Sequence, residues 1–379
     1  MNKIIHKSSI NDDAYTRYVI ENYDIQNSKE TITTIENNIH NIVNSDFNIG
    51  VVYGGSGSGK TSILKSFGTI KNVHFSDTDS LISNFDFLQP AEATRLLSAI
   101  GLSSVPTWLR PYHTLSNGEQ YRARLAYLIG KAQDNETILI DEYTSVVDRD
   151  VAKSMSYAIG KYIKRHNKKI IFASCHYDII EWLLPDWVYS PAKGRLEKLD
   201  PRQCRPKIKL QIFRCRYETW NLFKQHHYLS SDLNTSCQSY LITWNDKAVA
   251  FAGILPFPGV GDPKTRRVSR LVVLPDFQGL GIGKKILNYL SSIYWKEDHQ
   301  MFIRTMQPAL GIALSKDDEW IATAGNLRKP SNDTSGRKII MRESYSYKYI
   351  GHKSEDVSDF IMFNADAYKD VAQNQISMF

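Results

Sequence analysis

Gly54-Gly55-Ser56-Gly57-Ser58-Gly59-Lys60-Thr61 decides how the first half of the chain folds. It fits G-x-x-x-x-G-K-[ST], and it has the context that pattern requires. The apolar run Ile49–Val52 before it reads as a buried strand, and a helix opens near Lys60. Glycines let successive backbone N–H groups turn inward toward phosphate oxygens, and the helix start adds partial positive charge. In this geometry Lys60 reaches the β- and γ-phosphates of a nucleotide. Thr61, followed by Ser62, holds Mg²⁺.

Outward from this loop, Ile138–Ile140 and Lys169–Ala173 read as two further buried strands. Strands alternating with helices predict an α/β fold with a parallel sheet. The first two dozen residues are polar and give no clear pattern, and 32–69 reads as helix or strand around the loop. From Lys193 to Arg216 the character changes: Lys193, Arg195, Lys198, Arg202, Arg205, Lys207, Lys209, Arg214 and Arg216 face only Glu197 and Asp200. This stretch fits either a charged linker or a track for a phosphate backbone. It sets the expected division: a first domain over 1–200, a basic linker at 201–207, a second domain over 208–352 and a polar tail over 353–379.

Further segments narrow the nucleotide site. Leu115-Ser116-Asn117-Gly118-Glu119-Gln120 resembles the ABC signature LSGGQ. Alone it would be a helix cap, since Ser116 and Glu119 make a capping box. Ile138-Leu139-Ile140-Asp141-Glu142 resembles a Walker B strand with its catalytic glutamate. Asp148 matches the D-loop, and His176 the switch histidine. Order and spacing over about 30–190 resemble the ABC ATPases. The resemblance implies that Asp141 orients Mg²⁺, Glu142 polarises the attacking water and His176 contacts the γ-phosphate. It further implies that Ser116 and Gly118 of one chain close on the ATP of another, giving an ATP-dependent homodimer. Gln89 is the candidate Q-loop residue and a further Mg²⁺ ligand. The interval from Lys60 to Leu115 is shorter than in transporter ATPases, and no aromatic A-loop is clear.

The second half carries Arg270-Leu271-Val272-Val273-Leu274-Pro275-Asp276-Phe277-Gln278-Gly279-Leu280-Gly281-Ile282-Gly283. The bland reading is a tight strand–helix turn or a Rossmann turn. Around it, Ser239–Trp244 and Ala248–Leu255 flank a hairpin turn at Asn245-Asp246. Val268–Val273 is a strand, 281–295 a helix, Met301–Thr305 a strand, 308–323 a helix, and 338–342 with 345–350 a final strand pair. The segment resembles motif A of the GNAT acyltransferases, which implies a GNAT-like α+β domain behind the ABC-type domain. Backbone amides from Gln278 through Gly279, Leu280, Gly281, Ile282 and Gly283, with Lys284 beside them, would bind the pyrophosphate of acetyl-CoA or another acyl-CoA. A strand splayed at Leu271, Val272 and Val273 would offer an amide to the thioester carbonyl.

Shorter segments resemble the Mom-like branch of that superfamily, phage proteins that modify adenine in DNA: Phe223–Ser230, Ser269–Val273, Arg304-Thr305 with Pro308-Ala309, and Ser346–Gly351. Candidate bases are His227 and Asp232, and candidate acids are Tyr347 and Tyr349. Each of these is also a common packing residue. Arg270 and Arg304 suit a phosphate or a carboxylate partner, and Lys264 with Arg266-Arg267 suits a nucleic-acid backbone.

With 379 residues, 42% apolar, the chain has room for two or three cores, and its net charge of +7 points weakly to an acidic partner. The four cysteines show no metal spacing. No stretch is long and apolar enough to span a membrane. The expectation is a cytoplasmic protein, bacterial or encoded by a phage or mobile element. The expected function is an ATP-hydrolysing acyltransferase acting on nucleic acid, DNA rather than RNA. Two alternatives stay open: N-acetyl transfer to a protein, small amine or aminoacyl-tRNA, and a non-acylating nucleic-acid-binding ABC ATPase of repair or phage defence.

Overall fold

A computed structural model describes residues 2–23, 30–37, 39, 46–199, 207–227, 232–257, 263–327, 344–351 and 360–363. In chain order it contains β1 (Asn2–Ser9), α1 (Ala14–Asn22), β2 (Glu30–Asn37), β3 (Ile49–Tyr53), α2 (Lys60–Lys65), α3 (Pro90–Ala99), α4 (Val105–Trp108), α5 (Asn117–Lys131), β4 (Thr137–Ile140), α6 (Arg149–Arg165), β5 (Lys169–Ser174), α7 (Ile179–Leu183), β6 (Trp187–Ser190) and β7 (Arg195–Lys198). It continues with β8 (Ile208–Cys215), β9 (Gln238–Trp244), β10 (Lys247–Pro256), β11 (Thr265–Val273), α8 (Ile282–Lys296), β12 (Gln300–Thr305), α9 (Pro308–Ser315), β13 (Trp320–Ala322), β14 (Tyr345–Tyr349) and β15 (Phe360–Phe363).

Two compact units result. The first takes Met1–Asn72, Ala132–Ser145 and Ile163–Cys204. The second takes Val73–Lys131, Val146–Tyr162 and Arg205–Phe379. The second unit thus includes two stretches from the N-terminal half of the sequence, among them the signature segment.

The first unit is built on a five-stranded sheet in the order β4-β5-β3-β6-β7, parallel except for β7. Every residue of β3 is buried, as a central parallel strand covered on both faces requires. Gly50 is obligatory there: an added Cβ would lie 2.1 Å from the Trp187 ring of β6. Gly50→Ala is expected to destabilise the unit by about 2 kcal/mol through overpacking, seen as an earlier thermal melting transition. The polar N-terminus also has structure. β1 and β2 pair antiparallel, and their Ile4 and Ile35 pack on the core beside Phe67 and Leu196. β7 puts Arg195 of the basic stretch on the sheet edge, where charge discourages pairing with other chains. Residues 201–206 of the expected linker lie outside the described residues.

In the second unit the sheet runs β13-β14-β12-β11-β10-β9-β8-β15. The hairpin between β9 and β10 turns at Asn245 and Asp246, both at positive φ (49° and 61°), the signature of a type I′ turn. Two sequence expectations need correction. The helix expected over 308–323 stops at Ser315. Asp317 there accepts from Lys284, Asn288 and the Glu319 N–H, and Trp320–Ala322 leaves to pair with β14. The tail read as merely polar contributes β15, because Phe360-Ile361-Met362-Phe363 is a short apolar run that pairs in parallel with β8. The strand expected at 338–342 lies outside the described residues. Cys175, Cys215 and Cys237 are free thiols. Among the described residues no helix is long and apolar enough to cross a membrane.

Candidate functional site

The glycine loop joins β3 to α2 in the first unit. Gly57 and Gly59 adopt left-handed φ of 74° and 90°, which only glycine adopts freely. Lys60 curls over the loop, its Nζ donating to the carbonyls of Gly54 and Gly55 at 2.9 and 2.7 Å. Added Cβ atoms at Gly55 and Gly57 would meet nothing within 4 Å, and the buried Ser58 hydroxyl has no hydrogen-bond partner. Open backbone plus an orphaned hydroxyl fits a nucleotide's phosphates. Ser56 lies between those glycines, exposed to solvent.

Behind the loop, the Thr61 hydroxyl donates to Asp141 Oδ2 at 2.8 Å. A hydroxyl and a carboxylate side by side are the oxygen donors Mg²⁺ prefers. β4 delivers Asp141 at its C-terminal end, and the chain then bends sharply: Glu142 and Thr144 sit at φ 50° and 68°. Such non-glycine strain concentrates at functional sites. The exposed Glu142 stands on this bend. Its backbone N–H donates to Asp141 Oδ1 at 2.9 Å. His176 Nδ1 lies 3.0 Å from the Thr144 hydroxyl, and the His176 backbone N–H donates to Ser174 Oγ, which donates to the Tyr143 carbonyl. Asp141, Glu142 and His176 are thus tied into one corner by Thr144 and Ser174, two residues no motif marks. His6 is a further addition: its Nε2 lies 2.7 Å from the Ser62 hydroxyl. Only the β1–β2 pairing brings it there, and nothing local in the sequence signals it.

In the second unit, Ser116 precedes α5. Its N–H and hydroxyl donate to the Glu119 carboxylate at 3.0 and 3.1 Å, and the Glu119 N–H donates back to Ser116 Oγ at 3.4 Å. The capping box expected from sequence is therefore formed, with Ser116 exposed. Gly118 is in the first turn. Asp148 accepts from the N–H groups of Asp150 and Val151, capping α6. Gln89 caps α3, its N–H donating to Glu92.

The acyltransferase-like loop follows β11. β11 pairs with β10 as far as Val273, but with β12 only over Thr265–Val268. The β10 register shifts between Gly253 and Ile254, so Ser269 is a bulge. Beyond it, Leu271, Val272 and Val273 run free of the β12 ladder. Gln278 anchors the turn by donating from Nε2 to the Val273 carbonyl at 2.9 Å. Gly279 and Gly281 take φ of 81° and 86°, and Gly281 caps the 15-residue α8 with open space around it. Leu280 and Ile282 are buried, so this stretch offers a ligand its backbone amides. A Cβ added to Gly283 would lie 3.6 Å from the Val273 side chain, an ordinary contact. Open amides at a helix start fit a pyrophosphate. Lys284 is engaged with Asp317 at 2.6 Å.

The candidate proton-transfer residues fall in two places. His227 stacks edge-on to Trp220, and Arg270 lies over the same indole while donating to the Asp232 carbonyl at 2.6 Å. His227, Asp232 and Arg270 are thus brought together. Burial first, then the Arg270 charge, pushes the His227 imidazolium down to about 4, so the ring is neutral at ordinary pH. Between pH 6.5 and 4 the unfolded chain takes up the proton that the folded chain refuses, so stability falls on acidification. His227→Gln is expected to reduce that loss by about 1 kcal/mol, discounted for the ring's partial exposure, as read by denaturant titrations at pH 7 and 5. Tyr347 and Tyr349 are buried on β14. Tyr349 packs against Trp295 and Trp320, and burial followed by the Glu319 charge raises its phenol. Both tyrosines are core residues here. Arg304 donates to the Ser344 hydroxyl. Lys264 pairs with Asp298, Arg266 donates to backbone carbonyls, and Arg267 lies over the Phe257 ring at 4.8 Å.

Residues 206–310 match the model of the acetyltransferase (GNAT) family. No curated protein matches the chain. Among solved structures, the ATP-binding cassette MJ0796 in a dimeric post-hydrolysis state bound to ADP and Pi is similar over 45% of this chain and 90% of its own, with 16% identity and a TM-score of 0.34. CbiO1 from Clostridium perfringens, part of the ABC transporter complex cbiONQ, is similar over 40% and 75%, with 18% identity and a TM-score of 0.32. The ribosomal-protein-S18-alanine N-acetyltransferase from Escherichia coli is similar over 39% and 98%, with 17% identity and a TM-score of 0.29. The family match assigns a GNAT acetyltransferase domain to residues 206–310, and the glycine loop of β3–α2 with the corner at Asp141–His176 has the geometry of a nucleotide-phosphate site.

Proposed function

We propose that the chain hydrolyses ATP at a site completed by a second copy and transfers an acyl group from an acyl-CoA to a base in DNA. The observation that carries the transferase half is the opening of β11 directly before the amide-lined turn at Gly279–Gly283. It sets a strand edge that can polarise a carbonyl next to a cradle for pyrophosphate. In the reaction an amine nitrogen attacks the thioester carbon and the carbon–sulfur bond breaks. The amine proton ends on the departing thiolate, giving an amide and free CoA. His227 faces Arg270 across the Trp220 indole; a ring whose cation burial and the Arg270 charge both disfavour is a weak base, so its part in this reading is to line the site as a neutral ring.

In the ATPase half, Thr61 and Asp141 would hold Mg²⁺ through their oxygens, and that ion would neutralise charge on the phosphates. Lys60 supplies the fixed positive charge, and Glu142 orients the water. Ser116 and Gly118 of the partner complete the site. The nucleic-acid target is supported by the Mom-like segments, of which 228–230 lie outside the described residues, and by the consecutive basic residues Arg266 and Arg267 on β11. A base inside a duplex must be flipped or unpaired to be reached, work that an ATP-driven clamp suits. Mass spectrometry of nucleosides from cells expressing the protein is expected to show a new acylated base, absent with Lys60→Ala. Unmodified DNA and RNA alongside an acylated protein or metabolite would refute the target.

A further inference from the structure

Arg122 lies on α5, one turn beyond the signature glutamate, and is fully buried. Its Nη1 donates to the Pro275 carbonyl at 2.6 Å and its Nη2 lies 3.8 Å from Asp276 Oδ1. Pro275 and Asp276 form the entrance to the turn that continues through Gln278 to Gly283. The same entrance is held from α6, where the Ser154 hydroxyl donates to the Asp276 carbonyl. Next along, the Ser103 N–H donates to Gln278 Oε1 at 2.6 Å. Gly279 faces Gly101 and Ala158 so closely that a Cβ on it would lie 2.6 Å from that of Ala158. The acyl-CoA turn is therefore held in shape by groups outside the acyltransferase segment.

The other end of α5 is the signature. Glu119 receives Ser116 on one oxygen and the Thr107 hydroxyl, at 2.9 Å, on the other. A Cβ on Gly118 would lie 3.9 Å from Asp276 Oδ1. One carboxylate thus borders both the signature glycine and the buried guanidinium. A buried charge is costly unless paired, so Arg122 ties its own position to that of the loop entrance.

We propose that Arg122 and Asp276 are positioning residues through which the signature helix sets the acyl-CoA turn, so that ATP engagement at Gly118 weakens acyl-CoA binding. This rests on the proposed function. A phosphate brought to Gly118 places like charge beside Asp276, and the entrance, displaced from Arg122, loosens the turn. By linkage, acyl-CoA weakens ATP engagement by the same factor.

The test titrates acetyl-CoA calorimetrically into the whole chain carrying Glu142→Gln, expected to hold ATP with little turnover, with and without ATP and Mg²⁺. ATP is expected to raise the acetyl-CoA Kd about fivefold or more. Asp276→Asn, a change at a half-exposed side chain, is expected to abolish that ratio while acetyl-CoA still binds. Arg122→Met is expected to weaken acetyl-CoA binding with ATP affinity unchanged, and Arg122→Lys to restore part of it. A ratio of one in the parent, or the parent's ratio retained in Asp276→Asn, overturns the proposal even if Arg122→Met misfolds. Absence of any acetyl-CoA binding overturns the acyltransferase reading and this inference with it.

Discussion

Replacing Lys60 by alanine is expected to cut ATP turnover by about 10²–10³-fold, the usual cost of removing one preorganised charge from a phosphoryl-transfer site. The reason is local. The Lys60 ammonium is held over the loop by the carbonyls of Gly54 and Gly55, so its charge is in place before any phosphate arrives. The fold should survive, because the loop's shape comes from Gly57 and Gly59 and from the burial of Ile63 and Leu64 on the core. A phosphate-release assay beside a melting curve separates the two effects. Turnover within a few-fold of wild type, with an unchanged melting curve, would remove the P-loop reading of this site.

Glu142→Gln is expected to have an effect of similar size on hydrolysis, about 10²–10³-fold, with the opposite effect on assembly. The amide keeps the side chain's shape on its strained bend but no longer polarises water, so ATP stays bound. If Ser116 and Gly118 of a second copy complete the site, that copy stays too. Light scattering after size exclusion should then show a dimer with ATP and Mg²⁺ and a monomer without them. A variant that holds ATP yet remains monomeric would mean that the site is not shared.

Much of this site was legible in the sequence because its geometry is local. The spacing of Gly54, Gly59, Lys60 and Thr61 between a buried strand and a helix leaves few conformations open, and Ser116 with Glu119 forms the capping box its spacing announces. The turn at Gly279 and Gly281 and the hairpin at Asn245-Asp246 were readable for the same reason: positive φ is a property of single residues. The helix expected through Thr323 failed where tertiary bonds to Asp317 outweighed an apolar pattern. β15 was missed because four apolar residues were averaged into a polar tail.

By itself the sequence determined the two glycine turns at helix starts, the strands that feed them and the order of motifs around Asp141. The tertiary structure alone decided that residues 73–131 and 146–162 belong to the same compact unit as the acyltransferase segment. It also decided that His6 reaches Ser62, that His227 and Arg270 share the Trp220 indole, and that Arg122 is buried against Pro275. An arginine on an amphipathic helix reads as solvent-facing, and a histidine on a polar strand reads as surface. Loop conformation follows from neighbours in the chain, whereas burial and charge pairing depend on residues far away in it.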